Sequence, residues 1–249
     1  MNRVIFLILL FLGSLFAEDI KVLRIHCGTT MKKPIQKMAK IFEKEYGCKV
    51  ILKTGASQDL YDSLKFLKNI DLYLPGSPSY IKKYQNEGLF KKSVYIGYNK
   101  AAIFVQKGNP KNITTLDSFI DKNIKTILCD PDSGSIGKES KKVLVKYKGL
   151  DFYNKAYSMT KLLATDSKDI NHALEDGEVD MSINWKATYF FCKMQKYVDM
   201  IDIDEKYAPK KKLMLTLLKF SPNPTLAKEF ILFATSKRGR EIMKESGFL

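Results

Sequence analysis

Apolar residues recur along this chain in two alternating rhythms. Short continuous runs of the buried-strand kind fall at 22–27, 49–53 and 70–74. Between them, residues 32–46 carry Ile35, Met38, Ala39, Phe42 and Tyr46 at helical spacing, and Gly47 stops that helix. Residues 58–68 place Leu60, Leu64 and Leu67 on one stripe, and 79–87 form a further helix ended by Gly88. Repeated strand–helix units predict a parallel sheet covered by helices. After a polar-aromatic passage at 91–100 a second series begins. Its strands are expected at 101–106, 125–129, 157–164 and 179–184, and its helices at 115–122, 135–147, 170–176 and 187–196. The tail adds a strand at 213–219 and helices at 224–234 and 238–245. The fold class is therefore α/β with two lobes, each a mostly parallel sheet flanked by helices, and a ligand cleft between them. Residues 18–97 plus 203–249 make lobe one, and 98–202 an inserted lobe two.

Three loops stand at predicted strand ends. Cys27-Gly28-Thr29-Thr30 and Thr54-Gly55-Ala56-Ser57 each follow a strand and open a helix, and neither carries a cation. Asp130-Pro131-Asp132-Ser133-Gly134-Ser135-Ile136-Gly137 repeats the pattern in the second half. Ligands of open α/β sheets lie beyond the carboxyl ends of strands. Free N–H groups and positive helix ends there suit an anion. Thr30 and Ser57 are hydroxyl candidates, although either could simply cap its helix. In the third loop Ser133 and Ser135 offer hydroxyls, Ile136 and Gly137 offer N–H groups, and Asp130 and Asp132 cap the turn. It is not a phosphate-binding P-loop, because Lys138 is followed by Glu139 and the Gly spacing differs. Trp185, the single Trp, follows the last lobe-two strand and could wall the cleft or pack in the core.

Residues 1–17 have the form of an export signal, with Arg3, an apolar run over 4–12, and Leu15-Phe16-Ala17 before the cut. The run is shorter than the roughly 20 residues a membrane span needs. A periplasmic protein is expected. The formal charge of +15 falls to +14 once Arg3 is removed. The lysines are scattered over polar helix faces with no interleaved aromatics, which argues against a nucleic-acid partner. Cys27, Cys48, Cys129 and Cys192 show no metal-ligand spacing. Buried free thiols are expected, because Cys27 ends one strand while Cys48 begins its neighbour, beyond bridging distance. Catalysis finds no support: His26 and His172 lack a nucleophile partner, and no paired carboxylates stand at matching strand ends.

The order of several short motifs resembles the periplasmic molybdate-binding proteins, type II solute-binding proteins that serve ABC importers. The marks are the first loop ahead of Lys-Ile-Phe-Glu-Lys-Glu-Tyr-Gly at 40–47, and Gly55-Ala56-Ser57. Val105-Gln106-Lys107-Gly108-Asn109-Pro110, Asp130-Pro131 with Gly137, and Gly177-Glu178-Val179-Asp180 continue the series. Ser236-Lys237-Arg238-Gly239-Arg240-Glu241-Ile242-Met243 with Gly247-Phe248 closes it. The resemblance implies oxyanion contacts from the Thr30 and Ser57 hydroxyls, from amides near Ile136, from backbone near Ile170 and at the Trp185 position; Thr29, Ser133 and Ser135 are candidates by their place in the loops. It implies no cofactor, no catalysis, a monomer, and an ABC permease in the inner membrane as partner. Trp185 stands where the family commonly has Tyr, Thr188 where it has Asp, and Ser135 where it has Pro. Molybdate or tungstate, bound as an oxyanion rather than at a cation site, leads. Sulfate, phosphate or a small organic phosphate stays open, as does an adhesin or sensor module of the same fold. More loosely, the chain resembles exported proteins of the accessory colonisation factor type, which bind organic phosphates.

Overall fold

The computed structural model describes residues 20–190 and 194–248, so the export signal and Cys192 lie outside the described residues. Two five-stranded sheets carry the fold. In the first, β1 (Val22–Gly28) pairs in parallel with β2 (Lys49–Gly55) and β3 (Leu72–Leu74). β4 (Phe90–Asn99) pairs antiparallel with β10 (Lys211–Leu218), which returns beside β3. The second sheet has the order β7-β6-β8-β5-β9, formed by β5 (Ala101–Gln106), β6 (Thr126–Cys129), β7 (Leu162–Ala164), β8 (Met181–Trp185) and β9 (Val198–Asp202). There β6 runs parallel to β7 and β8, whereas β5 is antiparallel to β8 and β9. Each sheet is thus mixed: β10 in the first and β5 in the second run against the parallel strands, while β4 and β9, each antiparallel to that strand, run with them.

The helices follow from their apolar stripes. α1 (Lys32–Tyr46) buries Ile35, Met38, Ala39 and Phe42 against the first sheet, and Gly47, at φ 57°, turns the chain out of it. α2 (Ser57–Phe66) and the short α3 (Ser79–Lys83) cover the other face through Leu60, Tyr61, Leu64 and Tyr80. α7 (Pro224–Thr235) and α8 (Lys237–Glu245) complete that lobe, with Phe230 edge-on to Phe42 at 5.1 Å between ring centroids. Around the second sheet stand α4 (Ser135–Lys148), α5 (Leu150–Met159) and α6 (Ser167–Glu175). Ile103, Phe104, Leu128, Val143, Ile183 and Trp185 belong to the core there. Among the described residues no helix is long and apolar enough to cross a membrane.

Some expectations need correction. The passage 91–100 is all but the first residue of the edge strand β4, with Lys100 just beyond it. Lys91 and Lys92 face solvent, where they guard the unpaired edge, and they break the apolar run that would have marked a strand. Tyr157 belongs to α5, and the strand expected from 157 begins at Leu162. Among the described residues of the helix expected at 187–196 stand two short 3₁₀ turns, Lys186–Phe190 and Met194–Lys196. Cys27, Cys48 and Cys129 are buried free thiols, as expected.

Candidate functional site

The parallel halves of both sheets aim their carboxyl ends at a common gap. There the chain turns from β1 at Gly28, from β2 at Ala56, from β6 at Gly134 and from β7 at Asp166, and each turn starts a helix. The resulting pocket is lined by Gly28, Thr29, Thr30, Gly55, Ala56, Ser57 and Gly76 from one lobe. Gly134, Ser135, Ile136, Asp166, Ser167 and Trp185 line it from the other. The cavity volume is about 10 Å³. By the same measure that is roughly the room one water requires, so the lobes stand closed around a space for a compact group.

Hydroxyl orientation is the informative feature. Ser57 Oγ accepts from the Gly76 N–H at 3.1 Å, and Ser135 Oγ accepts from the Trp185 indole N–H at 3.2 Å. A hydroxyl whose oxygen already accepts has its own proton left to donate. Thr30, 5% exposed, has only the Met31 sulfur as partner, at 2.9 Å. A thioether is a weak acceptor that an anion would readily replace. Gly28, Ala56 and Gly134 provide no side-chain cap to the helical turns they open, and in α4 the Gly137 N–H turns to the Cys129 sulfur. Four helix starts around one space add their partial positive charges.

Asp166 is the one charged residue of the lining. Its Oδ1 caps α6, accepting from the N–H groups of Lys168 at 2.6 Å and Asp169 at 3.3 Å. Its Oδ2 accepts from the Thr29 hydroxyl of the facing lobe at 2.7 Å. Thr29 therefore spends its proton on a bridge between lobes. Gly76 makes the second close approach: a Cβ added there would lie 2.2 Å from Ser135 Oγ. Nearby, the Tyr80 hydroxyl donates to the Ser133 carbonyl at 3.3 Å, and Lys138 Nζ sits 3.9 Å over the Tyr80 ring. Burial, with Lys83 adding to it, lowers the Lys138 pKa.

Of the residues singled out in the sequence, Thr29, Thr30, Ser57, Ser135, Ile136 and Trp185 meet in this pocket. Ser133 and Ile170 do not line it. The Ser133 hydroxyl donates to the Thr165 carbonyl at 2.8 Å, and Ile170 is fully buried one turn inside α6. Gly76, Asp166 and Ser167 were not foreseen. Asp166-Ser167 repeats the strand–turn–helix signal after β7, with Asp as N-cap, but the helix expected from 170 starts at Ser167, and that late expectation hid it. His26 packs away from the pocket, its Nδ1 3.1 Å from Ser63 Oγ and 3.4 Å from the Leu60 carbonyl, and burial lowers its pKa. Lys186 pairs with Asp202 at 2.7 Å, and the Thr188 hydroxyl donates to the Trp185 carbonyl at 2.8 Å. Burial raises the Cys129 thiol to about 12 and Cys27 further still. Among the described residues no cluster of His, Cys, Asp or Glu could hold a metal ion.

A two-lobed α/β body with helix starts from both lobes around a closed cleft has the form of a ligand-capturing protein. The chain belongs to the bacterial extracellular solute-binding proteins, whose family model matches residues 23–249. Three solved structures are similar in fold. The sulfate-binding protein SubI of Mycobacterium tuberculosis aligns over 92% of this chain and 86% of its own, at 19% identity and TM-score 0.81. The periplasmic binding protein AfuA of Actinobacillus pleuropneumoniae, solved with fructose-6-phosphate, aligns over 92% and 84%, at 18% identity and TM-score 0.80. The periplasmic molybdate-binding protein of Azotobacter vinelandii aligns over 91% and 98%, at 14% identity and TM-score 0.78.

Proposed function

We propose that this chain is the periplasmic binding component of an ABC importer and captures a tetrahedral oxyanion group between its lobes for delivery to the permease. The observation that carries this reading is the pair Ser57 and Ser135. Each oxygen is occupied by an N–H, so each proton is free to point into a cavity that also collects uncapped helix N–H groups. Neutral donors of this kind hold a fixed negative charge through directional bonds. Release follows when the lobes part and half of the donors leave.

Molybdate and tungstate are the whole ions this reading places first. The phosphoryl head of a small organic phosphate is the second reading, favoured by a groove that adjoins the pocket at Thr29, Thr30 and Ser167. The solved relatives named for sulfate and molybdate and the one solved with fructose-6-phosphate are consistent with a scaffold that takes either kind of ligand. Calorimetric titration with molybdate, tungstate, sulfate, phosphate and 3-phosphoglycerate tests the proposal. Saturable binding of at least one anion, with a change in Trp185 fluorescence on closure, is the expected outcome. A flat titration for all five refutes oxyanion capture.

A further inference from the structure

The chain crosses between the lobes twice. β4 ends at Asn99 and β5 begins at Ala101, while β9 ends at Asp202 and β10 begins at Lys211. Asn99 and Lys211 stand opposite each other as the last pair of the antiparallel β4–β10 ladder. A rotation of one lobe on the other turns about the chain beyond this pair.

Opposed residues of an antiparallel pair project to the same face. Tyr98 and Lys212, the next pair along, take the other face and are exposed. The face of Asn99 and Lys211 is covered from lobe two, where Glu139 Oε1 on α4 lies 3.1 Å from Lys211 Nζ. Asn99 and Glu139 are each 2% exposed. Neither Oδ1 nor Nδ2 of Asn99 finds a hydrogen-bond partner among the described residues. The two neighbours therefore respond oppositely to the approach of α4. The lysine gains a carboxylate. The amide leaves bulk water and gains no protein partner in exchange, which a polar group resists. Parting the lobes lifts α4 away, returns water to Asn99 and separates Lys211 from Glu139.

We propose that this pair sets the balance between the open and the closed cleft, with Asn99 favouring the open form and the Glu139–Lys211 ion pair the closed one. The inference rests on capture by closure, as read above, and adds the residues that fix how readily the empty cleft shuts. Neither Asn99 nor Lys211 lines the pocket, so they are positioning residues that act on every ligand alike. Ser140 supplies the comparison. It is equally buried and without a partner among the described residues, but it sits on α4 between Ile136, Val143 and Leu144, in the core of lobe two, which closure does not change.

Trp185, the single Trp, lines the pocket and is 1% exposed in the closed form, so acrylamide quenching of its fluorescence in the ligand-free protein reads the open fraction. Asn99→Leu, which keeps the volume and removes the amide, should lower the quenching constant severalfold. It should also raise the calorimetric affinity about tenfold for whichever of molybdate, tungstate, sulfate, phosphate and 3-phosphoglycerate binds the wild type. Asn99→Ala repeats the test with a smaller side chain. Adding Lys211→Met to Asn99→Leu should restore quenching, because Glu139 then enters the closed form without its counter-charge. Ser140→Ala should leave quenching at the wild-type level. Quenching that is unchanged in both Asn99 variants, lowered equally by Ser140→Ala, or still low in the double variant overturns the proposal. If the variants follow the expected order while none of the five anions binds, the balance at Asn99 and Lys211 stands and the oxyanion reading falls.

Discussion

Gly76→Ala tests whether the lobes must meet as closely as they do here. The added Cβ would lie 2.2 Å from Ser135 Oγ and 3.1 Å from Ser135 Cβ, where ordinary contact begins at 3.4 Å. Gly76 is not among the positive-φ glycines, so its backbone accepts alanine and the effect is steric. Turning the Ser135 hydroxyl aside breaks its 3.2 Å bond from Trp185 and still leaves the Cβ contact too short. Turned aside, the hydroxyl leaves about the 0.3 Å between 3.1 and 3.4 Å still to be found; kept in its bond from Trp185, it holds the lobes apart by about the 1.2 Å that separates 2.2 from 3.4 Å. At that spacing a ligand held by lobe one loses the donors at the start of α4. Two charge-assisted hydrogen bonds at about 1.5–3 kcal/mol each amount to about 3–6 kcal/mol, or at least about a hundredfold in affinity. Calorimetry measures the loss. Trp185 fluorescence and small-angle scattering report whether the cleft closes. Thermal stability of the ligand-free variant should hold, since parting the lobes relieves the contact without disturbing the core of either one. Wild-type affinity together with a compact scattering profile would refute the steric argument.

Thr30→Ala and Ser57→Ala should each weaken anion binding by about 1–3 kcal/mol, Ser57→Ala more because it also strips the Gly76 N–H of its acceptor; titration of each variant with the ion that wild type binds checks this. Glu139, on α4 and 3.1 Å from Lys211 of β10, has its pKa raised by burial despite that lysine. A raised carboxyl favours the native state when protonated, so its contribution is present at acid pH and lost as pH climbs through its folded value. Glu139→Gln removes that dependence, and denaturant melts should show the stability of the variant relative to wild type increasing as pH rises above the usual glutamate range. Cys27 and Cys129, buried and held as thiols, should resist alkylation at pH 8 in the native protein and react once it is unfolded, as peptide mass mapping would read.

Much of the fold was legible in order. The stripes at Ile35, Met38 and Phe42 and at Leu60 and Leu64, and the glycine stops at Gly47 and Gly88, are local signals, and each helix forms where its own residues ask for one. Hydroxyls at three strand ends marked Thr30, Ser57 and Ser135, because the carboxyl end of a strand is where an α/β sheet exposes helix starts. The direction of β4 and β10 was not legible. An edge strand with Lys91 and Lys92 owes its pairing to a partner more than a hundred residues away, and local pattern carries no record of that partner. The same limit separates the pocket's members. Ser133 and Ser135 sit two residues apart in one loop. Packing within lobe two turned Ser133 to Thr165, and the packing of lobe two on lobe one set Ser135 against Gly76. Sequence alone determined which short segments could offer a donor. Tertiary structure decided which of them converge, because hydrogen bonds reach about 3 Å and such proximity between remote residues is created by long-range closure of the chain.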